Sequence, residues 1–92
     1  MVKINECVAK SLANKKGYRC GKWNTSFRNE SVIVSHYGTE MLKIPSDRNK
    51  IERAVGFESM SDKQGVNKIL RDLGISKSNL KEIKTDRGHR FD

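Results

Sequence analysis

The segment from Ser61 to Gly74 constrains the fold of this chain more than any other. Its apolar residues recur at the i, i+3, i+4, i+7 spacing that lines one side of an α-helix, and they are Val66, Ile69, Leu70 and Leu73. Ser61 and Gln64 have the spacing of a capping box, which marks a helix start. Gly74 followed by Ile75 is typical of a Schellman stop. We therefore predict an amphipathic helix over residues 62–73, whose apolar stripe needs a second layer to pack against.

Residues 31–44 predict that second layer, because they have the pattern of a β-hairpin. The run from Ser31 to Tyr37 is rich in β-branched residues, and Gly38-Thr39 fits a two-residue loop before the chain returns. With this loop, the expected core side of the hairpin carries Ile33, Ser35, Tyr37, Glu40, Leu42 and Ile44. The other side then carries Val32, Val34, His36, Met41 and Lys43.

Weaker patterns precede the hairpin. Residues 5–14 form a weak helical stripe, which Asn5 can cap and which should stop by Gly17. From residue 18 onward the pattern changes to strands, with alternation at Trp23, Thr25 and Phe27. We expect one short helix and then the beginning of the sheet.

The segments on either side of the 62–73 helix are less determined. Residues 48–57 fit either a short helix or an edge strand, and periodicity alone does not decide between them. Residues 76–83 are interpreted as one or two further helical turns, docked by Leu80 and Ile83. The stretch 84–92 has no apolar period and is expected to be a flexible basic tail.

Together these patterns predict an α+β fold in a single domain over residues 1–83. The sheet is expected to have three or four antiparallel strands within about 18–57, with the 62–73 helix packed across one face. The other face would be exposed or covered by the short N-terminal helix.

Composition argues for a binding protein rather than an enzyme. The 92 residues are 35% hydrophobic and 33% charged, which leaves little room for a buried cofactor pocket. Cys7 or Cys20 could in principle pair with His36 or His89 as a thiolate–imidazole couple or a zinc site, but the spacing favours neither. We expect no cofactor, no metal and no catalytic residues.

The two cysteines and the first residues also bear on location. The sequence has no apolar signal region and no run long enough to span a membrane. A secreted domain of this size would usually carry several disulfides. The expectation is a cytoplasmic protein, with free thiols at Cys7 and Cys20 and no membrane partner.

The strongest functional signal is an uneven distribution of charge. The chain has 19 Lys and Arg against 11 Asp and Glu, a formal net charge of +8. No acidic residue lies between Glu6 and Glu30, and this acid-free window holds Lys10, Lys15, Lys16, Arg19, Lys22 and Arg28. Phosphates need cations without neutralising carboxylates, and unpaired bases need aromatic faces, which Trp23 could supply. The window is therefore the candidate site for nucleic acid or an acidic partner.

A structural interpretation competes with the functional one at each of these residues. Large aromatics such as Trp23 and Phe27 are more often core than surface, and lysines are ordinary solvated residues. A secondary basic cluster comprises Lys77, Lys81, Lys84, Arg87 and Arg90. Its first three members would share one helical face, but Glu82, Asp86 and Asp92 interrupt it, which favours a solvated surface.

About half of the chain resembles a family of small phage and mobile-element proteins of unknown function. The resemblance is carried by Asn24-Thr25, Tyr37-Gly38-Thr39, Gly56-Phe57, Ser59, Ser61 and Asn67. The chain departs from that pattern at Asp62, where a second Thr is usual, and at Gly65-Val66, where a basic residue is usual. The resemblance implies that residues 50–57 are a strand. It also implies a phage-type origin and supplies no catalytic residue.

Two functional hypotheses follow. In the first, the protein is a phage-type accessory protein that binds nucleic acid, DNA or RNA, through the acid-free window. In the second, it is a protein-directed inhibitor, anti-CRISPR-like, that docks on an acidic or nucleic-acid-binding surface of a host or defence enzyme or ribonucleoprotein. In both, the host cytoplasm is the expected location.

Overall fold

The computed structural model describes residues 4–47, 49–56, 59–85 and 90–91, without the side chains of Asn5 and Lys77. Within them the chain forms two α-helices, α1 (Ile4–Asn14) and α2 (Met60–Asp72). The strands are β1 (Tyr18–Cys20), β2 (Trp23–Arg28), β3 (Ser31–His36), β4 (Thr39–Pro45), β5 (Ile51–Val55) and β6 (Leu80–Lys84). A short 3₁₀ turn, Lys77–Asn79, precedes β6. The α+β prediction is confirmed.

The six strands form one mixed sheet and lie in chain order, from β1 at one edge to β6 at the other. The first five pair antiparallel, whereas β5 and β6 are parallel and are joined across the sheet by α2. The predicted count of three or four strands, all antiparallel, is therefore wrong. The ambiguous segment 48–57 contains a strand, β5; Arg48 and Phe57 lie outside the described residues.

The largest error in element type concerns residues 76–83, predicted as helical turns. They form the 3₁₀ turn and most of β6. Leu80 and Ile83 have helix-like spacing, but in the strand they lie on opposite faces of the sheet. Leu80 packs against the core beneath the helices, and Ile83 packs against a second cluster on the other face.

The β3–β4 hairpin turns one residue earlier than the sequence suggested. His36 pairs with Thr39, so the two-residue loop is Tyr37-Gly38 rather than Gly38-Thr39. Both loop residues have positive φ, 52° for Tyr37 and 79° for Gly38. That geometry belongs to a type I′ turn, whose twist matches the flanking strands. A β-branched Thr39 is poorly suited to positive φ, which explains why the loop excludes it.

Relative to the prediction, β3 presents its other face to the helices, whereas Leu42 and Ile44 of β4 lie on the core side as predicted. The side facing the helices carries Val32, Val34, Leu42 and Ile44, all completely buried. The predicted core position Ile33 lies on the opposite side, because adjacent strand residues alternate. A bulge after Val34 resets the pairing near the turn, so that Ser35 pairs with Glu40.

The main core lies between this side of the sheet and both helices. It joins Val8 of α1 to strand residues and to Val66, Ile69 and Leu70 of α2. The predicted stripe of the second helix is thus confirmed. The α1 helix begins at or before Ile4 and ends at Asn14, where Lys15 takes a left-handed φ of 53° before Gly17 is reached. Asn5 therefore lies within α1 rather than at its cap.

The opposite face of the sheet was predicted to be exposed or covered by the N-terminal helix. Part of it is instead covered by the C-terminal segment. Phe91 is 5% exposed and packs with Ile33 and Ala54 in a second, smaller core. The expected flexible tail is therefore not loose at Phe91; residues 86–89 and 92 lie outside the described residues. A C-terminal segment thus contributes to the fold.

The predicted capping box of the second helix is displaced by two residues. The N-cap is Ser59, whose hydroxyl accepts from the backbone N–H of Asp62, and the Asp62 carboxylate accepts from the Ser59 N–H. Asp at this third position replaces the Glu or Gln of the usual pattern. At the other end, Ile75 N–H donates to the Leu70 carbonyl, and the predicted Schellman stop is confirmed.

We expect Ser59→Ala to lower the free energy of unfolding by about 1 kcal/mol, since it removes the cap of α2. Ser61→Ala is the matched control: Ser61 is exposed, and removing its hydroxyl loses the 3.2 Å contact with the Ser59 hydroxyl but leaves the Asp62 amide capped. Urea unfolding of the two variants beside the wild type measures the difference. Equal losses in both would show that the cap is assigned to the wrong serine.

The expectation of two free thiols is wrong. Cys7 on α1 and Cys20 on β1 form a disulfide, with their Cα atoms 6.7 Å apart. The thirteen-residue separation gave no hint of it, because only the packing of α1 over the sheet edge brings the two residues together. The bond ties the N-terminal helix to the edge strand β1.

Opening this disulfide should lower the free energy of unfolding by about 3 kcal/mol, the entropy that closing a loop of this length removes from the unfolded chain. Urea unfolding with and without dithiothreitol measures it. The control is the Cys7→Ser, Cys20→Ser double variant, which should be insensitive to reductant. Identical midpoints for the oxidised and reduced wild type would contradict the prediction.

Candidate nucleic-acid interface

Five cations of the acid-free window are exposed on α1, on the edge strand β1 or in the connections beside it, and Arg19 points away from α1 because it alternates with Cys20. These exposed residues, named the basic edge here, are Lys10, Lys15, Lys16, Arg19 and Lys22. Lys10 lies one helical turn after Cys7, on the side of α1 that the disulfide holds to β1. Arg19 is in β1, and the other three lie in the connections on either side of that strand. Since β1 is an edge strand, a long ligand can approach it from the side.

Two acidic residues flank this edge. Glu30, in the β2–β3 turn, lies 3.7 Å from the Lys15 ammonium, and both side chains are largely exposed. An exposed pair of this kind contributes little and is easily broken. Glu6 precedes Lys10 by one helical turn on α1. Among the described residues, Lys16, Arg19 and Lys22 form no ion pair, and we treat these three as the centre of the basic edge.

Arg28, the remaining cation of the window, is occupied elsewhere. Its guanidinium donates to the Glu40 carboxylate and to the Phe91 carbonyl oxygen, each at 2.9 Å. Arg28 is thus part of the contact that holds the C-terminal segment to the sheet. The structure does not bring it into the basic edge.

Trp23 is a packing residue in this structure. Its ring is half-buried, stacks on His36 with 4.1 Å between centroids, and lies against α2 at Gly65. A methyl group at Gly65 would clash with the indole, so the missing side chain there is what admits the ring. Trp23 joins the sheet to α2 and is not available as an open stacking face.

The exposed aromatic residue beside the basic edge is Tyr37; its predicted place on the core side of the hairpin is wrong, because it lies in the turn. It is 66% exposed, and the Lys22 ammonium lies 5.6 Å from its ring centroid. Its backbone N–H donates to the Lys22 carbonyl oxygen at 3.0 Å, which fixes the two turns side by side. A side-chain hydrogen bond with Tyr37 raises the pKa of Lys22, so Lys22 remains a cation. The Tyr37-Gly38 pair in the sequence could have indicated this exposure, because the side chain of a turn residue projects away from the sheet.

Two carboxylates that could oppose phosphate binding are withdrawn into the protein. Burial alone would raise the pKa of Glu40, but hydrogen bonds from Arg28 and the Phe91 N–H hold it below its ordinary value. Burial would likewise raise the pKa of Asp62, and hydrogen bonds from His36 and Ser59 lower it instead. Both carboxylates are buried and paired inside the protein, Glu40 with Arg28 and Asp62 with His36, so neither faces the basic edge.

The secondary basic cluster does not form one surface. Lys81 and Lys84 are exposed on β6, at the far edge of the sheet from β1, and their spacing puts them on opposite faces. The shared helical face predicted for them is therefore wrong. Arg90 is exposed and lies 3.6 Å from the Glu40 carboxylate. Arg87 and the side chain of Lys77 lie outside the described residues.

The His, Cys, Asp and Glu side chains of the described residues have these positions. Among them, no three His, Cys, Asp or Glu side chains lie close enough together to hold a metal ion. His36 Nδ1 is hydrogen-bonded to the buried Asp62 carboxylate, and the two cysteines are bonded to each other. His89 lies outside the described residues. No helix in the described part of the chain is long and apolar enough to cross a membrane.

Comparison with known proteins adds no family. No protein-family model matches the chain, and neither the curated proteins nor the solved structures contain a match. The residues that carry the resemblance to the phage family have clear structural roles: Tyr37-Gly38 forms a turn, Gly56 follows β5 with φ of 109°, and Ser59 caps α2. The case for function therefore rests on the geometry of the basic edge.

The lowered pKa values of Asp62 and Glu40 predict the acid limb of stability. Both folded-state values lie below the unfolded ones, about 3.9 and 4.3, so in acid the unfolded chain binds more protons. Their stabilising contribution is complete above those unfolded values and is lost as the pH falls through the folded ones. We expect the urea midpoint to fall steeply below about pH 4.

The control is the Glu40→Gln, Asp62→Asn double variant, measured over the same pH range. It should be less stable near neutrality but should lose less stability on acidification, because two of the responsible carboxyl groups are gone. An acid limb of unchanged steepness would assign the effect to other groups.

Proposed function

We propose that this protein is a non-enzymatic nucleic-acid-binding protein that holds backbone phosphates along the basic edge. Lys16, Arg19 and Lys22 are the central contacts, and Lys10 and Lys15 flank them. The observation that carries the proposal is the exposure of all five cations on α1, on the edge strand β1 and in the connections beside that strand. Release of condensed counterions by such a row of cations drives phosphate binding without any pocket.

The internal pairing of the buried acids supports the same function. Arg28 pairs with Glu40, and His36 pairs with Asp62, so neither carboxylate faces a ligand. The basic edge thus keeps its positive field over a wide pH range, down to the point at which the fold itself is lost in acid. Such a field also speeds the encounter with a polyanion.

A host-cytoplasmic location and a phage-type origin belong to this proposal. Disulfides are rare in a reducing cytoplasm, where Cys7 and Cys20 would be present as thiols for part or all of the time. The proposal therefore requires that the basic edge bind with the pair reduced. Binding measurements belong in buffers with and without dithiothreitol.

Reversing Lys16, Arg19 and Lys22 to Glu should abolish binding to labelled oligonucleotides in fluorescence anisotropy titrations. Reversing Lys63, Arg71 and Lys84 is the matched control: it changes the net charge equally on exposed residues of α2 and β6. With about four phosphate contacts, log affinity should fall against log salt with a slope of about −3.6 for duplex DNA, and of about −2.8 for a single strand.

Equal losses in both triple variants would mean that net charge alone drives binding and would reject the basic edge. A second outcome is also decisive: no affinity for naked nucleic acid near physiological salt, together with a stable complex with a host protein. That result would replace the proposal by the protein-directed inhibitor, in which the same reversals mainly slow association.

A further inference from the structure

Three aromatic rings form a continuous column from the core to the surface at one end of the basic edge. Trp23 and His36 are stacked with an interplanar angle of 12°, and the centroid of the His36 ring lies 4.5 Å from that of the Tyr37 ring, which is tilted by 46°. This aromatic column begins against α2 and ends in solvent, where two thirds of Tyr37 is exposed. Its outer ring is backed by aromatic packing on the protein side.

The inner rings of the column cannot easily move. Trp23 is wedged against Gly65, and His36 is 5% exposed and bound to the Asp62 carboxylate at the start of α2. The ring of Tyr37 therefore rests on a fixed support. A preformed aromatic face costs less conformational entropy on binding than a mobile one.

Neither the turn nor the core requires a tyrosine at this position. The left-handed conformation of Tyr37 suits Asn, Asp or Gly better than a bulky residue. The ring is too exposed to add much to the core. Its contacts with the Lys22 ammonium and the His36 ring instead place it where cation and aromatic face adjoin.

That pairing fits one ligand class in particular. A nucleotide presents a flat base beside an anionic phosphate, and Tyr37 presents an exposed ring with the Lys22 ammonium 5.6 Å over its centroid. A base that stacks on this ring would displace the ammonium toward the phosphate of the same nucleotide. In a duplex the base faces are already stacked on their neighbours, whereas an unpaired base is free to stack on a side chain.

We propose that the ligand of the basic edge is single-stranded nucleic acid, with one base stacked on Tyr37 and its phosphate on Lys22. The inference rests on the proposed function and adds the ligand's strandedness and the stacking residue. Trp23 and His36 act behind Tyr37 as positioning residues and do not touch the base.

The test compares three labelled probes of equal length: a thymidine tract, an abasic tract with the same phosphates, and a hairpin duplex. The wild type should bind the thymidine tract more tightly than the abasic tract by between about 5-fold and 150-fold, the range for stacking one base on an aromatic side chain. A uridine tract of the same length tests whether RNA is accepted equally.

Tyr37→Asn keeps a residue that suits the turn and removes the ring. It should lose the same factor on the thymidine tract, and should no longer distinguish that tract from the abasic one, because ring and base contribute to one contact. Tyr37→Phe should stay within about twofold of the wild type, because the face is retained. Met60→Ala, at another exposed apolar residue, is the control and should change nothing.

Two failures are distinguishable. If Tyr37→Asn binds every probe as the wild type does, while the basic-edge reversals still abolish binding, the stacking inference is overturned and the proposed function stands. If the wild type binds none of the probes, both are overturned. Circular dichroism melting confirms that Tyr37→Asn is folded.

Discussion

Hairpin register decides which side chains this small protein can bury. In a strand, a slip of one residue sends every side chain to the other face. The type I′ turn at Tyr37-Gly38 places Val32 and Val34 beneath the helices and leaves Ile33 for the second core. A second turn of the same kind, at Asn29-Glu30, keeps β2 in phase with β3. Both cores, and the column that ends at Tyr37, depend on these two turns.

Asp62 then connects the sheet to α2. One of its carboxylate oxygens receives the His36 ring and the other closes the capping box with Ser59. A single carboxylate thus satisfies the start of a helix and a buried histidine, the same histidine on which Trp23 stacks. The helix stripe supplies most of the apolar contact, while Asp62 fixes where along the sheet the helix begins.

Much of the fold could be predicted from local signals. The stripe of α2, its Schellman stop and the presence of a β3–β4 hairpin follow from spacings of a few residues. The position of the turn was not predicted correctly. Gly38-Thr39 and Tyr37-Gly38 both fit a two-residue loop, and the choice between them depends on whether Tyr37 or Thr39 adopts a positive φ. The helix-like spacing of Leu80 and Ile83 concealed β6, since these two half-buried residues lie on opposite faces of an edge strand and leave it no single apolar side.

The candidate site could also be predicted in part from local signals in the sequence. Lysine and arginine side chains are mostly exposed in folded proteins, so the acid-free window indicated the residues of the basic edge. Arg28 pairs with Glu40 instead of joining the basic edge, and Trp23 packs on His36, which leaves Tyr37 as the exposed ring. Both results depend on contacts between segments distant in sequence. So does the disulfide, since neither its existence nor its location on the sheet edge follows from two cysteines alone.

The attachment of Phe91 has a consequence for the order of folding. Its N–H reaches Glu40 across 51 residues of chain and its carbonyl reaches Arg28 across 63, whereas the β1–β5 meander pairs neighbours. Because closing long loops costs entropy before any contact repays it, the meander should form first and the second core last. Until then Ile33 remains uncovered on a growing sheet. The interval before Phe91 docks is thus when the chain is most open to aggregation through its own apolar face.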